Sequence, residues 1–597
     1  MAIHQEHVHE IGDEIEGCDS SPSEGIFHFV QDDNMIDTFA TYLNVENLPL
    51  KSCESDNYEK FVRTTLQSDY RKIPLGTFID SIVVAYGMKK KALRDYFLDF
   101  NGHVAITVNL WNSESGERFI CVTCHWIDEN WGMQIRVIGF RIIGDDATNV
   151  DICNVIINVL NVFNLREKVF CISLGNDFEH DECIRVLTNK LKPVFRELFM
   201  HDRHCGFVTN LCAQQGMEQL EVLINPINKL IRWTRVSFRD LKPVYVSMCK
   251  EVGLKPRYFP LDCATSWNSS YEMLCHIFPY REILTKLYND NVDECFDFQW
   301  DKIDLVIKLF EKFSNANHTF SLCYEPSCHL VIQECVKIVH VLKTYENDPL
   351  LGLVVRNMRN KWLEYMFDIP EVYCIAMILD PHVKLEGLSS LLEYYYETLG
   401  VNSCVEEKIS GCKDILNGLY THYASIYKCK TITTQPIYES QMTILEKLKE
   451  MNRSSHGSES IVNVSERARA GGEGSSSELN EYLSFEHVIY EDFDILQWWQ
   501  KREELFPILS KVAKDILCIP ISIVALESAF STGVGERVLV EQWSTLWPSE
   551  MEACICKRDW DMAEKGAQRL HHRQIEDDDP WMMMDTSDSD SEEFMYA

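Results

Sequence analysis

The sequence predicts a mixed α/β protein with a large helical part, and two observations along its 597 residues support this prediction. Residues 103–142 contain three short segments rich in valine, isoleucine and aromatic residues, separated by the polar sequences NSESGE and ENWG. Such segments with tight turns between them are typical of an antiparallel meander. Helix-like and strand-like patterns then alternate up to residue 200, which indicates that a further strand joins the same sheet.

The individual elements follow from the spacing of the apolar residues. Residues 34–100 have apolar residues about 3.6 positions apart and predict a helical N-terminal segment. The first three predicted strands are VAITVNLW, ERFICVTCHWID and MQIRVIGFRII. They are followed by an amphipathic helix, NVDICNVIINVLNVF, a buried strand, KVFCISL, and a second helix, DECIRVLTNKLKPVFRELF. We therefore expect a mixed α/β sheet from about residue 103 to residue 200.

The remainder of the chain divides by composition. Residues 216–450 are almost wholly helical in pattern, and the serine- and glycine-rich residues 451–478 predict a flexible linker. Residues 479–565 are apolar and compact again. Residues 1–33 and 566–597 are acidic and predict disordered tails.

The charge of the chain restricts its partners. The net charge is −35, and residues 1–33 and 574–597 each carry nine acidic residues. Phosphate binding depends on clustered lysine and arginine, so we expect DNA binding to be weak and confined to a local surface. No apolar run reaches the roughly 18–20 residues needed to span a bilayer, so we expect no membrane partner. The acidic start has no apolar core and predicts no signal peptide, so the 23 cysteines are expected to be reduced thiols.

Several chemical motifs are absent or incomplete. The sequence has no Walker loop and no Gly-x-Ser-x-Gly elbow, and GVGERV at 533–538 lacks a third glycine. We therefore expect no cofactor and no small-molecule substrate. Cys121 and Cys124 have the spacing of a metal ligand pair, but they lie in a predicted strand without a His-x3–5-His partner. Packed strand thiols are the favoured interpretation, and a ligand pair is the alternative.

One stretch near the C-terminus is more specific. Residues 518–560 place Glu527 in an otherwise apolar segment, where a lone carboxylate is costly to bury unless it is paired or faces a cleft. Together with the preceding EDFDILQWW, this stretch resembles the C-terminal dimerisation region of hAT-superfamily transposases, including plant RICESLEEPER-type proteins. The similarity extends upstream through RHCGFVTNLCAQQG, LDCATSWNSSYEML and IAMILDPHVKL. The matching residues of the C-terminal region are Asp494 to Leu496, Trp498, Trp499, Ala525, Glu527 to Gly533, Arg537, Leu546, Pro548 to Glu550, Cys556, Asp559 and Trp560.

The resemblance implies an RNase H-like core whose first part is residues 103–215. A large all-α insertion, residues 216–450, interrupts this core, and residues 479–565 complete it. In the family this core carries three catalytic carboxylates, and the corresponding positions here are Asn109, Gly175 and Glu527. Two Mg²⁺ ions bound by anionic oxygens would clamp the attacking and leaving oxygens of a phosphodiester. Because two of the three carboxylates are replaced, the resemblance predicts no metal pair and no enzymatic activity. Asp177 is the one alternative ligand nearby.

Further departures from the family pattern agree with lost chemistry. Phe207 replaces a histidine, Ser266 replaces an arginine, and GVGER carries two extra residues. The aromatic residues persist, and we interpret Trp498 and Trp499 as core or dimer anchors. The residues predicted to serve dimerisation are Trp498, Trp499, Glu527, Ser528, Phe530 and Trp560.

The sequence thus favours a transposase-derived, catalytically inactive nuclear protein that dimerises with itself or with related hAT proteins. The family's N-terminal BED zinc finger is expected to be missing, since residues 1–33 contain a single cysteine, Cys18. A DNA-binding transcriptional regulator is the alternative, and an active metal-dependent transposase or nuclease is a remote one. The basic residues Lys89 to Lys91 and Arg94 predict either a solvated helix face or a contact with phosphate or nuclear import factors.

Overall fold

The fold was analysed in a computed structural model. It describes residues 33–428, 478–521 and 546–566, with internal gaps. The gaps are residues 47, 66–69, 113–116, 145, 176–179, 202–204, 260–261, 263–265, 293–296, 323 and 486–492. The predicted linker, except Glu478, and most of both predicted acidic tails lie outside the described residues.

The N-terminal half contains three helices followed by the predicted sheet. The helices are α1 (Asp33–Val45), α2 (Asp56–Thr65) and α3 (Leu75–Asp99). The sheet part consists of β1 (Val104–Asn112), β2 (Arg118–Ile127), β3 (Met133–Ile143), α4 (Asn149–Val162), β4 (Val169–Leu174), α5 (His180–Leu191), α6 (Arg196–Phe199) and β5 (Met200–His201). The mixed α/β fold is confirmed, and the four predicted strands all form.

One helix differs from its prediction. DECIRVLTNKLKPVFRELF forms two helices, α5 and α6, instead of one. Pro193 has no amide hydrogen and its ring clashes with the carbonyl four residues earlier, so the helix ends before it. Lys192 turns the chain with a φ of 52°.

The helical part follows residue 204. Its helices are α7 (Cys205–Gln219), α8 (Glu221–Glu251), α9 (Trp267–Ile277), α10 (Arg281–Asn291), α11 (Trp300–Ser321), α12 (Val331–Thr344), α13 (Gly352–Met366), α14 (Glu371–Ile378), α15 (Lys384–Leu399) and α16 (Val405–Lys428). The C-terminal part contains α17 (Glu478–Ser484), α18 (Ile495–Gln500), α19 (Leu509–Leu517) and α20 (Pro548–Glu564). None of the described helices is both long enough and apolar enough to cross a membrane.

The sheet separates two apolar cores. Its strand order is β3-β2-β1-β4-β5, with β1 antiparallel to β2 and parallel to β4. Side chains alternate between the faces of a strand. Ala105 and Cys171 therefore contact the core shared with the helical part, whereas Ile106, Val108 and Ile172 contact the core formed with α3, α4 and α20.

The last described helix, α20, completes the second core. It packs between β3 and α3, and its cysteines Cys554 and Cys556 are fully buried. The Asn44 side chain in α1 donates a hydrogen bond of 3.0 Å to the Cys554 carbonyl. Segments from the two ends of the chain, 510 residues apart, are thus joined within one core.

Candidate functional site

The two positions singled out by the sequence, Asn109 and Gly175, lie side by side. In the parallel pair of β1 and β4, Val108 is opposite Leu174. The Gly175 amide donates a hydrogen bond of 2.8 Å to the Val108 carbonyl. Gly175 directly follows β4, and Asn109 is the first residue of β1 beyond its pairing with β4, so the two are neighbours, as the resemblance implied. Strand β1 itself continues along β2 to Asn112.

Gly175 has room for a side chain. A Cβ atom placed on it would lie 3.5 Å from Asn109 Oδ1 and 3.7 Å from Asn109 Cα, which are ordinary van der Waals distances. Its φ is outside the left-handed region, so an L-residue can adopt this backbone conformation. The backbone does not demand glycine here, and a carboxylate at position 175 would lie against Asn109.

Farther back along the same strands lie further uncharged polar side chains. His125 Nε2 and Thr107 Oγ1 are 3.0 Å apart, and both residues are buried. Burial lowers the pKa of His125 to about 3, so its imidazole is uncharged at neutral pH. Ser173, two residues before Gly175, is buried as well. Within the described ranges, no group of three or more His, Cys, Asp or Glu residues is arranged to hold a metal ion.

The third predicted position is not described. Glu527 lies outside the described residues, and so do Ser528 and Phe530 and the alternative ligand Asp177. The structure therefore brings together two of the three positions, Asn109 and Gly175.

The predicted dimerisation tryptophans lie inside this chain's own core. Trp498, Trp499 and Trp560 are 4%, 0% and 3% exposed. Trp499 Nε1 donates a hydrogen bond of 3.1 Å to the Leu379 carbonyl, so it ties the C-terminal part to the end of α14. Of the two roles considered, core or dimer anchor, their burial matches the core. Their role in a dimer stays a prediction.

Asp559 and Trp560 cover an irregular point of strand β3. The register between β2 and β3 shifts between Val122 and Thr123, which pair with Gly139 and Val137. Asp559 Oδ2 accepts a hydrogen bond of 2.8 Å from the Val137 amide, and Trp560 Nε1 donates one of 2.9 Å to the Val137 carbonyl. Two consecutive side chains of α20 thus satisfy both backbone groups of one residue on the outer strand.

A buried charge pair fixes the same helix. Glu552 and Arg141 form an ion pair between α20 and β3. Burial raises the pKa of Glu552, and Arg141 opposes that shift. Sequence reasoning missed this pair. The only signal was a glutamate within the apolar MEACIC, the pattern that drew attention to Glu527.

The basic residues of α3 are partly occupied by this helix. Lys89 forms ion pairs of 2.7 Å with Asp561 and 2.6 Å with Glu564. Lys90 donates a hydrogen bond of 3.0 Å to the Tyr86 hydroxyl. The predicted basic run thus contributes to packing within the chain, and two of its cations are not free for phosphate.

A second polar cluster joins the sheet to the helical part. His103 Nδ1 lies 2.7 Å from Asp515 Oδ2, and the Tyr423 hydroxyl donates to the same carboxylate. Burial alone would lower the pKa of His103, but its bond to Asp515 outweighs this and raises it. The cluster connects the start of β1 with α16 and α19.

Cys121 and Cys124 are buried in β2. Burial raises the pKa of both thiols, as expected of packed strand residues.

Four family models match the chain in order. The ZBED1 RNase-like domain matches residues 107–200 and the ZBED1 RNase-like helical domain matches 203–306. The hAT-like transposase RNase-H fold matches 329–423, and the hAT family C-terminal dimerisation region matches 478–560. The first match begins two residues before Asn109 and includes Gly175.

Whole-chain relatives agree with these matches. The zinc finger BED domain-containing protein RICESLEEPER 2 of Oryza sativa subsp. japonica is 25% identical over 543 residues, 87% of this chain and 73% of that protein. A protein described as an AC transposase of Zea mays is 26% identical over 515 residues, 81% of this chain and 60% of that protein. The zinc finger BED domain-containing protein DAYSLEEPER of Arabidopsis thaliana is 22% identical over 536 residues, 87% of this chain and 72% of that protein. The sheet topology, the four ordered family matches and these relatives identify the chain as a hAT transposase-like protein with an RNase-H fold.

Proposed function

We propose that this chain is a transposase-derived nuclear protein that no longer cleaves DNA and acts through self-association. The observation that supports the loss of DNA cleavage is that two neutral residues, Asn109 and Gly175, are neighbours on adjacent strands. The resemblance implies carboxylates at both positions.

The electrostatic argument is simple. Mg²⁺ is a hard ion that prefers anionic oxygen ligands in octahedral geometry. Asn109 offers an uncharged amide oxygen and Gly175 offers no side chain, so the pair cannot neutralise two divalent ions. Each 1.4 kcal/mol of lost transition-state stabilisation slows a reaction about tenfold. A site without two of its metal ligands is therefore expected to lose many powers of ten in rate.

A cleavage assay tests the proposed loss of DNA cleavage. The purified full chain is incubated with labelled duplex DNA and Mg²⁺ or Mn²⁺, beside the double variant Asn109→Asp/Gly175→Asp and a Glu527→Ala variant. We expect no cleavage above the background of the Glu527→Ala protein. Metal-dependent cleavage by the unaltered chain that disappears in Glu527→Ala would refute the proposal and favour an active nuclease.

Self-association is supported by the match of residues 478–560 to a dimerisation region. A dimer surface needs exposed residues, and Trp498, Trp499 and Trp560 are buried. Trp547, just before α20, differs from them because it is 74% exposed. Exposed tryptophans often dominate binding energy at protein interfaces, so we propose Trp547 as a contact residue of the dimer.

Light scattering on the full chain tests the proposed self-association. We expect a dimer, and we expect Trp547→Ala to weaken it at least tenfold, since interface tryptophans contribute about 2 kcal/mol or more. Phe61→Ala is the matched control, because Phe61 is an exposed aromatic residue of α2. A monomer at every concentration, or equal weakening by both variants, would contradict the proposal.

Nuclear location rests on the nature of the relatives, which are transposases and BED zinc finger proteins by name. Expression of the full chain with a fluorescent tag tests it, and exclusion from the nucleus would count against it. The alternative of a DNA-binding transcriptional regulator predicts a gel shift at moderate salt.

A further inference from the structure

The helix α8 carries a basic stretch within this acidic chain. Residues 229–239, KLIRWTRVSFR, contain four lysine or arginine residues and no acidic residue, whereas the net charge of the chain is −35. The whole stretch lies inside α8. Its local charge is therefore opposite in sign to that of the molecule, and it attracts acidic groups.

One side of this stretch is buried and the other faces solvent. Leu230 and Ile231 are at most 1% exposed and attach the helix to the core. Val236 is 84% exposed, and Lys229 and Arg232 are exposed as well. Residues three or four positions apart share one face of a helix, so Lys229, Arg232 and Val236 form a continuous row. We call these three residues the basic row.

The two cations of the basic row have no partner among the residues that the structure describes. Neither Lys229 nor Arg232 forms an ion pair or a side-chain hydrogen bond there. By contrast, Lys89 of α3 forms ion pairs with two acidic residues of α20. The exposed Val236 beside two unpaired cations gives the row both a charged and an apolar character.

The prolines of α8 restrict the kind of partner that fits the row. Pro226 and Pro243 lie inside the helix, one on each side of the row. A proline removes a backbone hydrogen bond and bends a helix, so the surface is not a straight rod. A flexible peptide segment can follow a bent surface, whereas a rigid partner would have to match the bend.

The chain itself contains a segment of complementary chemistry. Residues 574–597, which lie outside the described residues, carry nine acidic residues and no lysine or arginine. These acidic residues flank two apolar groups, WMMM at 581–584 and FMY at 594–596. Carboxylates can pair with the cations of the basic row while an aromatic or methionine side chain covers Val236. The segment thus matches both the charge and the apolar character of the row.

Charge density and reach both favour this segment as the occupant. Residues 1–32 are acidic too, but they carry eight acidic residues in 32 positions, against nine in the 24 positions of 574–597. The 31 residues after Gly566, the last described residue, can span up to about 100 Å when extended. A folded chain of this length has a radius of gyration of about 25 Å, so the segment can reach α8.

We propose that the acidic residues 574–597 bind the basic row of α8 within the same molecule. The contact is electrostatic at Lys229 and Arg232 and apolar at Val236. Because the segment is tethered, its effective concentration at the row is on the order of millimolar, so individually weak ion pairs suffice to hold it there. This inference goes beyond the proposed function, since it requires neither lost cleavage nor self-association, and its failure would leave both intact.

Zero-length cross-linking of the full chain tests the proposal. A carbodiimide joins a lysine amine to a carboxylate in contact with it, and mass spectrometry identifies the joined residues. The control lysines are Lys60 of α2 and Lys413 of α16, which are exposed and form no ion pair within the described ranges. We expect Lys229 to be joined to residues 574–597 at least about fivefold more often than either control. In about 1 M salt the Debye length falls to about 3 Å, so these cross-links should decrease by a similar factor.

Arg232→Glu tests the row without removing the reactive lysine. We expect it to reduce the cross-links between Lys229 and residues 574–597 by about threefold or more, because one ion pair is lost and a like charge is added. The matched control is Arg94→Glu, which makes the same charge change at an exposed arginine of α3 and should leave the cross-links unchanged. Circular dichroism establishes that both variants are folded.

The same experiment distinguishes the other possible occupants. Cross-links of Lys229 to residues 1–32 in place of 574–597 would overturn the proposal, and so would cross-links spread evenly over the exposed lysines. The absence of cross-links at Lys229, or equal effects of the two arginine variants, would overturn it as well. A mixture of isotopically light and heavy chains identifies contacts between two copies: cross-links that join light to heavy chains would refute an intramolecular contact.

Discussion

Replacing Asp559 by alanine should loosen strand β3 without breaking any contact in the candidate site. The Asp559 carboxylate accepts a hydrogen bond from the Val137 amide at the point where β2 and β3 change register. β3 is the outermost strand of the sheet, and the Val137 amide donates to this carboxylate instead of to a further strand. Asp559→Ala therefore leaves a donor unsatisfied beneath α20.

The expected magnitude follows from this geometry. A hydrogen bond to a charged group contributes about 1.5–3 kcal/mol, and an unsatisfied buried donor costs about 1–3 kcal/mol. We expect local opening of β3 to become about 2 kcal/mol easier, which corresponds to about thirtyfold faster amide exchange. Asp559→Asn keeps an acceptor oxygen and is the matched control, with a cost below about 1 kcal/mol.

Hydrogen exchange measured by mass spectrometry on the full chain resolves the effect. A peptide covering residues 133–143 should exchange faster in Asp559→Ala, and one covering α11 should not change. Local exchange is preferable to global unfolding, because a chain of 597 residues need not unfold in two states. If amide exchange in β3 is unchanged in Asp559→Ala, or is accelerated equally in Asp559→Ala and Asp559→Asn, the proposed role of Asp559 is refuted.

Three further predictions concern polar contacts within the cores. Trp499→Phe should lower the melting temperature more than Trp498→Phe. The reason is that Trp499 Nε1 donates a hydrogen bond to the Leu379 carbonyl, whereas no acceptor among the described residues reaches Trp498 Nε1. Equal shifts in melting temperature would contradict this. The pKa of His103 is raised in the folded chain above its unfolded value of about 6.5. Its contribution to stability is therefore complete below about pH 6.5 and is lost as pH rises through the folded pKa. The melting temperature should therefore fall above pH 6.5, less so in His103→Gln, and an unchanged pH profile in that variant would show that the Asp515 contact contributes nothing. Burial lowers the pKa of His125 in the folded chain to about 3, so the folded state loses stability as pH falls below about 6.5. The variant His125→Asn should reduce that loss at low pH.

The sequence predicted the strands well because they are marked locally. Each has a run of β-branched and aromatic residues bounded by polar turns, and β1 to β4 form at the expected positions. The adjacency of Asn109 and Gly175 was accessible only through the resemblance, since parallel pairing across 66 residues leaves no local signal. The apolar periodicity also continues from α5 into α6, so it could not show that the helix is interrupted. Pro193 causes the interruption.

The placement of the tryptophans was the weakest part of the sequence reasoning. A tryptophan pair after an aspartate indicates a strong anchor, but composition does not say whether the anchor lies in the core or at an interface. Asp494 caps α18 through the Leu496 and Gln497 amides and thereby turns Trp498 and Trp499 inwards. Non-local partners such as the Leu379 carbonyl decide the outcome, and they become visible only in the fold.

Melting temperatures of variants at positions 109 and 175 test the proposed loss of metal binding more sharply than activity measurements alone. Carboxylates at positions 109 and 175 would lie close together, since a Cβ on Gly175 is 3.5 Å from Asn109 Oδ1. Two like charges about 4 Å apart repel by up to about 4 kcal/mol at an effective dielectric constant of 20, and less where water reaches them. The neutral pair avoids this repulsion, which an active site would offset by binding divalent ions.

Asn109→Asp/Gly175→Asp should therefore lower the melting temperature in the absence of metal. If Glu527 supplies the third ligand, as the resemblance implies, Mn²⁺ should raise the melting temperature of the double variant, because an ion that binds only the folded state stabilises it. The unaltered chain should show no Mn²⁺-dependent shift, and Asn109→Asp alone should show an intermediate one. A shift of the same size in the unaltered chain would mean that Asn109 and Gly175 do not weaken metal binding, and the electrostatic basis of the proposed inactivity would then be wrong.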